Sequence, residues 1–156
     1  ELDLLKKTGA KIKMIKDEIR IKGPQKIKKI SHLATKEYEG FPTDLAPQFM
    51  VLLCKANGRS SITENIFQSR FMHAMELQRL GAKISIKNNK ATIEGNTNFI
   101  GAEVMSSDLR ASAALILAGI SAKSTTVVSR VYHCDRGYEK IENKLKKIGA
   151  NIRRLN

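Results

Sequence analysis

Charged side chains stand at or just before the first turns of four predicted helices. They are Asp44, Arg70, the pair Asp108 and Arg110, and Arg136. Strand-to-helix connections in α/β proteins put helix starts at the carboxyl edge of the sheet, where such proteins bind their ligands. Backbone N–H groups at a helix start bind anions, and a guanidinium pairs with two oxygens of a phosphate or carboxylate at once. The spacing therefore predicts a site for a multiply charged anion.

Asp44 and Asp108 have a simpler alternative interpretation. Each follows a Ser or Thr and opens an apolar helix, as a helix N-cap does, and such a cap contributes about 0.5–2 kcal/mol to stability. Arg110 lacks an equally simple explanation, because a cation in the first turn faces the positive end of the helix dipole at a cost of about 0.3–1 kcal/mol. An interaction outside the helix is therefore expected to hold Arg110.

Arg70 and Arg136 also allow two interpretations. Each precedes a predicted helix, and acidic residues that could pair with them, Glu64 and Asp135, lie close in sequence. Ion pairs on the solvated surface would then explain both arginines. A surface ion pair and an anion site both stay open for these two residues.

The histidines and cysteines of this sequence give little indication of a metal site or a reactive thiol. His73 is predicted on a helix surface, and His32 and His133 have no partner at metal-ligand spacing, so no metal is predicted. Cys54 lies in an apolar run and is predicted to be a core thiol. Cys134 is either inert or a thiol with a lowered pKa near a helix start. The glycine-rich loops that bind nucleotide cofactors do not occur, and no cofactor is predicted.

The composition is that of a globular domain. The 156 residues are 42% hydrophobic and 28% charged, and no apolar stretch approaches the roughly 20 residues that span a bilayer, so no membrane partner is predicted. Two cysteines without a signal-peptide pattern favour a reducing cytoplasm over a disulfide framework. The net charge of +13 suits a solvated surface, an anionic small-molecule site or nucleic acid. Scattered lysines and few aromatic residues favour the first two, so no nucleic-acid partner is predicted.

Two phrases recur along the chain and predict repeated α/β units. In the first, a helix ends at Gly-Ala and continues into an alternating strand, which places Gly9, Gly81 and Gly149 at the helix C′ position. Alternation then predicts two hairpins and one final strand, and the predicted ranges are 11–23, 83–95 and 151–155.

The second phrase is a Ser/Thr-Asp pair that opens an apolar helix, and each helix is followed by a β-branched strand. The predicted ranges are 45–57 and 109–119 for the helices, and 61–63 and 125–128 for the strands. The later helix is apolar nearly all round, which predicts a position between a sheet and other helices. The predicted fold class is therefore α/β with internal pseudo-repeats.

Longer phrases in the chain resemble one family. The chain is similar to the carboxy-terminal part of the bacterial UDP-N-acetylglucosamine enolpyruvyl transferases over residues 2–155, in the phrases GFPTDLAPQF, SSITENIFQSRFMHAMELQRLGAKI, DLRASAALILAG and YHCDRGYEKIENKLKKIGANI. Together these phrases are far more specific than any single short motif. The related 5-enolpyruvylshikimate-3-phosphate synthases share the fold but not the FPTD and RFMH phrases. They stay an alternative, as does a non-catalytic domain that binds a sugar nucleotide or another polyanion.

The resemblance implies a fold and an activity. The fold is an inside-out α/β domain, with helices inside and sheets outside, built from βαβαββ units of which two are complete and one is partial. The activity is transfer of the enolpyruvyl group of phosphoenolpyruvate to the 3-hydroxyl of UDP-N-acetylglucosamine with release of phosphate, in the cytoplasmic synthesis of bacterial peptidoglycan. The resemblance implies neither a metal nor a redox cofactor, and the two substrates are the expected ligands.

Motif positions imply the catalytic residues. Asp44 in FPTD matches the family's aspartate that contacts the sugar hydroxyl and serves as base. Asp108 and Arg110 in DLRAS match an aspartate and an arginine near the reacting carbon. Arg136 in DRGYE matches an arginine associated with the phosphoenolpyruvate anion. The resemblance thus implies Asp44, Asp108 and Arg136 as catalytic residues.

The same matching implies the substrate contacts. Ile66 in ENIF matches a residue that contacts the UDP-sugar, and Phe67 lies beside it. Arg70 in QSRF matches a second arginine of the phosphoenolpyruvate site. The implied substrate-binding residues are Asp44, Ile66, Phe67, Arg70, Arg110 and Arg136.

Residues 2–9 look like the last turns of a helix that has nothing before it to pack against. We therefore expect the chain to be an excised piece of a longer protein. We expect one domain over 1–156, with the end of a truncated unit over 1–23, a second unit over 24–95 and a third over 96–156. The family's loop cysteine and its amino-terminal Lys-Asn pair have no counterpart here. The missing amino-terminal domain is therefore an expected partner, and the chain alone is expected to be inactive.

Overall fold

The computed structural model describes residues 1–155, and these form an α/β chain with three small sheets. Helix α1 (Leu2–Lys7) leads into an antiparallel hairpin of β1 (Lys11–Ile15) and β2 (Glu18–Lys22). Alternating apolar residues and a two-residue loop form this hairpin. It was predicted from the sequence, and its second strand ends one residue earlier than expected.

The second sheet has four strands and is accompanied by two helices. Its elements in chain order are β3 (Leu33–Ala34), a 3-10 turn (Thr43–Leu45), α2 (Ala46–Lys55), β4 (Ser60–Thr63), α3 (Met72–Arg79), β5 (Lys83–Lys87) and β6 (Lys90–Glu94). The strands are ordered β3-β4-β6-β5, with β3 parallel to β4 and the other pairs antiparallel. The parallel pair needs a crossover, and α2 provides it. This part of the chain therefore has the predicted element order βαβαββ.

The third sheet pairs two parallel strands. Its elements are β7 (Glu103–Met105), α4 (Leu109–Ile120), β8 (Val127–Ser129), α5 (Tyr132–Asp135) and α6 (Ile141–Lys147). The strand predicted over residues 151–155 is not formed. A strand needs a neighbour for its N–H and C=O groups, and no strand of the described residues pairs with this segment. The third part of the chain thus repeats β-α-β-α and then continues into α6.

Three helices end at a glycine in the left-handed region, as the sequence predicted. Gly9, Gly81 and Gly149 have φ values of +98°, +93° and +96°. The amide after each glycine donates to the carbonyl five residues earlier at 3.0–3.2 Å. This Schellman arrangement satisfies carbonyls at the helix end and turns the chain out of the helix.

The core lies around α2 and α4, which pack against each other. Met50 and Leu53 of α2 and Leu115 of α4 are fully buried, as are Leu77 of α3 and Phe99. Most residues of α4 are buried, as its uniformly apolar sequence predicted. The two central helices therefore form the interior, with strands packed around them, which confirms the α/β fold class.

Candidate active site

Asp44 lies in the 3-10 turn that precedes α2, and its carboxylate does not cap that helix. Leu45 occupies the N-cap position, and no side-chain capping bond is made. Instead, Asp44 Oδ1 accepts from Arg70 Nη2 at 3.2 Å and from Arg110 Nε. The capping alternative is therefore wrong for Asp44. The expected interaction outside the helix for Arg110 is confirmed, because Arg110 pairs with an acid 66 residues away.

Arg70 is held on three sides. Its Nη1 donates to Thr43 Oγ1 at 3.1 Å, and its Cζ lies 4.3 Å from the centre of the Phe67 ring. The third side is the ion pair with Asp44. The alternative in which Arg70 pairs with Glu64 is wrong, because Thr43 lies between the two side chains. A guanidinium fixed in this way is pre-oriented for an incoming anion.

Asp108 caps α4, as one of its two interpretations predicted. Its Oδ1 accepts from the amides of Arg110 at 2.8 Å and Ala111 at 3.1 Å, and Ser107 donates to Oδ2 at 3.1 Å. Burial works to raise the pKa of Asp108, but these hydrogen bonds outweigh it and hold the pKa below its ordinary value. Asp108 is therefore an ionised cap two residues from Arg110.

His73 is buried, which corrects the prediction of a surface histidine. Only 4% of the residue is exposed, and its Nε2 has no hydrogen-bond partner among the described residues. Burial lowers the pKa of His73 to about 4, opposed by the charge of Asp108 and assisted by that of Arg70. The imidazole of His73 is therefore neutral, and both Asp108 and Arg70 are near enough to act on its pKa.

Arg136 is not at or just before the first turn of a helix as predicted, because it is the C-cap residue of α5 and α6 begins only at Ile141. Its side chain is exposed and makes no ion pair within residues 1–155, and the alternative partner Asp135 pairs with Arg154 at 2.6 Å. The next residue, Gly137, packs against Leu109 at the start of α4. The structure thus places Arg136 beside α4 without bringing it into contact with the other site residues.

Ile66 and Phe67 lie in the loop between β4 and α3. Ile66 is half-buried, and Phe67 is exposed with its ring against Arg70. Glu64, the first residue of the same loop after β4, was not among the predicted site residues, and only 3% of it is exposed. Burial tends to raise the pKa of Glu64, but hydrogen bonds from Thr43 and three other groups lower it. An acidic residue directly after a strand was the available signal.

Neither cysteine is reactive in this arrangement. Burial raises the pKa of Cys54 to about 12, and Cys54 lies in the core as predicted. Burial and the nearby charge of Asp135 also raise the pKa of Cys134, so the alternative of a lowered pKa is wrong. Among residues 1–155, no three acidic, His or Cys side chains are grouped as metal ligands, and no helix is long and apolar enough to cross a membrane.

The cluster of Asp44, Arg70 and Arg110 combines two chemical capacities. Its carboxylate is solvent-accessible and can accept a proton from a hydroxyl. Its two guanidiniums carry more positive charge than one carboxylate neutralises, which leaves capacity for an anionic ligand. The geometry suits a ligand that carries both a hydroxyl and a phosphate or carboxylate nearby.

Known proteins resemble this chain in sequence. The family model of EPSP synthase (3-phosphoshikimate 1-carboxyvinyltransferase) matches residues 2–145. A UDP-N-acetylglucosamine 1-carboxyvinyltransferase of Pelagibacter ubique is 60% identical over all 156 residues, and that of Geotalea uraniireducens is 52% identical over 151 residues, 97% of the chain. The chain spans 37% and 36% of the lengths of these relatives.

Solved structures share the fold. The enolpyruvyl transferase NikO from Streptomyces tendae superposes with a TM-score of 0.89 at 28% identity, over 97% of this chain and 35% of that one. An EPSP synthase from Acinetobacter baumannii gives 0.72 at 17% identity, over 99% of this chain and 36% of that one, which shows the fold alone. The enolpyruvyl transferase resemblance and fold type are therefore confirmed. The chain belongs to the EPSP synthase (3-phosphoshikimate 1-carboxyvinyltransferase) family of enolpyruvyl transferases.

Proposed function

We propose that this chain supplies the carboxy-terminal part of the active site of a UDP-N-acetylglucosamine 1-carboxyvinyltransferase. The observation that carries the proposal is the exposed carboxylate of Asp44 held between Arg70 and Arg110. Relatives at 50–60% identity that bear this enzyme's name support the choice of acceptor substrate. The rest of the site belongs to a further domain of the same enzyme. The units over 1–23, 24–95 and 96–156 are parts of the single domain that this chain forms.

The transfer needs a base and a counter-charge. The 3-hydroxyl oxygen bonds to C2 of phosphoenolpyruvate while its proton leaves and C3 gains a proton. C3 then loses a proton as the bond from C2 to the phosphate oxygen breaks. Asp44 takes the hydroxyl proton in this scheme, and Asp108 lies near the reacting carbon. Positioned proton transfer of this kind contributes about 10²–10⁴ in rate.

The arginines neutralise the anions of phosphoenolpyruvate. Arg70 and Arg110 flank Asp44, and Arg136 is exposed beside α4 with its charge unpaired within residues 1–155. Fixed guanidiniums stabilise the departing phosphate because they need no reorganisation when charge develops. Ile66 and Phe67 contact the UDP-sugar from the neighbouring loop. The enzyme works without a metal or redox cofactor, in the bacterial cytoplasm, in peptidoglycan synthesis.

A chimera tests the proposal. In it, this chain replaces the matching 37% of the Pelagibacter ubique relative, and phosphate release is measured with phosphoenolpyruvate and UDP-N-acetylglucosamine. Release that needs both substrates is expected, and none is expected from the chain alone. Release with shikimate 3-phosphate instead would establish the shikimate alternative. Saturable binding of UDP-N-acetylglucosamine by a folded but inactive chimera would establish the non-catalytic alternative.

Asp44→Asn in the chimera separates a base from a structural acid. We expect turnover to fall by about 10²–10⁴, because the amide cannot accept a proton. The melting temperature should barely move, since Asp44 caps no helix and exposed ion pairs contribute about 0–1 kcal/mol. Glu94→Gln is the matched control, because Glu94 pairs with Arg59 at 2.6 Å outside the cluster. Equal turnover in the two variants would show that Asp44 is not the catalytic base.

A further inference from the structure

Glu64 accepts hydrogen bonds from two separate parts of the site. Its Oε1 accepts from the hydroxyl of Thr35 at 2.8 Å and from the amides of Ile66 at 2.8 Å and Phe67 at 3.1 Å. The two amides belong to the loop that carries the proposed UDP-sugar contacts. One carboxylate oxygen therefore fixes the backbone of that loop.

The second oxygen reaches Arg70 through one hydroxyl. Thr43 Oγ1 donates to Glu64 Oε2 at 2.7 Å and accepts from Arg70 Nη1 at 3.1 Å. A hydroxyl has one proton and two lone pairs. Because its proton points at Glu64, a lone pair of Thr43 is presented to the guanidinium. Glu64 thus orients the Thr43 hydroxyl that accepts the hydrogen bond from Arg70, and so acts on Arg70 indirectly.

The bonds of Oε1 to the loop and those of Oε2 toward Arg70 form two arms, and these arms are also connected to each other. Arg70 stacks on the Phe67 ring at 4.3 Å, and Thr35 accepts from the Asn65 amide at 2.8 Å while it donates to Glu64. The loop, the threonines and the guanidinium therefore form one closed set of contacts around a buried charge. Hydrogen bonds to an ionised group in such a setting are stronger than those between neutral groups.

We propose that Glu64 is a positioning residue, which holds the Ile66–Phe67 loop directly and the guanidinium of Arg70 through Thr43. The assignment of these two arms to the UDP-sugar and to phosphoenolpyruvate rests on the proposed function. Glu64 is buried and touches neither substrate in this scheme, so its effect on both is indirect.

Kinetics of the chimera test both arms. In Glu64→Gln, one amide oxygen cannot replace two carboxylate oxygens, and an amide NH₂ facing Thr43 leaves the threonine proton without an acceptor. We expect the KM for phosphoenolpyruvate and that for UDP-N-acetylglucosamine each to rise about tenfold or more, with a smaller loss of kcat. Thr43→Val breaks only one arm and should raise the KM for phosphoenolpyruvate alone.

Two further variants separate positioning from loss of stability. Glu76→Gln is the matched control, because Glu76 also accepts from a backbone amide, that of Met105 at 2.9 Å, and contacts none of Asp44, Arg70 and Arg110. Both KM values should stay unchanged in it. The double variant of Glu64→Gln and Thr43→Val should raise the KM for phosphoenolpyruvate no more than Glu64→Gln does, because the two residues act in one chain. Additive effects, or KM values unchanged in Glu64→Gln, would overturn the proposal.

A second readout does not depend on activity. In the ¹⁵N-labelled 156-residue chain, Glu64→Gln should shift the amide signals of Ile66 and Phe67 and the side-chain Nε–H signal of Arg70, while Glu76→Gln leaves them in place. Unmoved signals would overturn the positioning role even if the chimera is active. If the wild-type chimera is inactive, the proposed function fails, and these signals still decide whether Glu64 positions the loop and the arginine.

Discussion

The hairpins β1–β2 and β5–β6 have one conformation in two different surroundings. Ile12 lies opposite Ile21 in the first, and Ile84 lies opposite Ile93 in the second, at positions 72 residues further along the chain. Ile93 is fully buried, whereas Ile21 is 56% exposed. The hairpin conformation therefore does not require burial of its apolar face. Alternation, a C′ glycine before the first strand and a short loop are sufficient to specify it.

The difference between the hairpins lies in what packs on them. Strand β6 pairs with β4 on its far edge and packs against α2. The far edge of β2 has no neighbour within residues 1–155, and the apolar side chains Met14, Ile19 and Ile21 stay exposed. Since burial contributes most of the stability of a strand pair, we expect the same substitution to have different effects in the two hairpins.

The largest expected difference is between Ile93→Ala and Ile21→Ala. Truncating Ile93 leaves a cavity beside α2 and should lower the free energy of unfolding by about 2–5 kcal/mol. Truncating the exposed Ile21 should change it by less than about 0.5 kcal/mol. Urea denaturation of the chain, followed by circular dichroism, measures both. A loss for Ile21→Ala as large as that for Ile93→Ala would mean that the first hairpin is covered in solution.

Gly95→Ala and Gly23→Ala sharpen the comparison at the ends of the hairpins. A Cβ on Gly95 would collide with the carbonyl oxygens of Ala56 and Gly58, whereas nothing lies within 4 Å of a Cβ on Gly23. Forcing backbone atoms apart should cost about 1–3 kcal/mol at Gly95. At Gly23 the change should stay within about 0.5 kcal/mol. Thermal unfolding midpoints report both values, and equal midpoints would mean that the chain after β6 adjusts freely.

Local features of this fold were predictable from the sequence, and long-range ones were not. The glycine at the end of each repeated phrase, both hairpins and the Asp108 cap depend on residues within a few positions of each other. The exposure of Ile21 was not predictable from alternation, because Ile21 and Ile93 occupy the same pattern. The predicted strand over 151–155 failed for a related reason, since alternation does not supply a neighbouring strand.

In the candidate site, too, local features were predictable from the sequence and long-range contacts were not. The helix-start rule selected Asp44, Arg70 and Arg110, and the structure joins them although Arg110 lies 66 residues from Asp44. The rule did not address His73, whose predicted surface position was wrong because burial of a polar ring depends on packing from distant elements. It also passed over Glu64, whose bonds to Thr35 and Thr43 span 29 and 21 residues. Spacing in sequence identifies single residues, whereas their partners follow from the fold.

The smallest expected effect concerns the hairpin loops, where Lys16 and Asn88 have φ values of +50° and +54°. Asn tolerates this left-handed region better than Lys does, since its short side chain can bond to the local backbone. Lys16→Asn should therefore stabilise the first hairpin by roughly 0.5 kcal/mol, and Asn88→Lys should destabilise the second by a similar amount.

The two changes should nevertheless be detected differently. The covered hairpin opens with the rest of the core, so Asn88→Lys should lower the midpoint of global unfolding, whereas the uncovered hairpin opens by itself. Lys16→Asn should accordingly slow hydrogen exchange of the β1 and β2 amides and leave the global midpoint unchanged. A shift of that midpoint by Lys16→Asn would show that the first hairpin unfolds together with the core, and that its exposed face contributes more to stability than its contacts indicate.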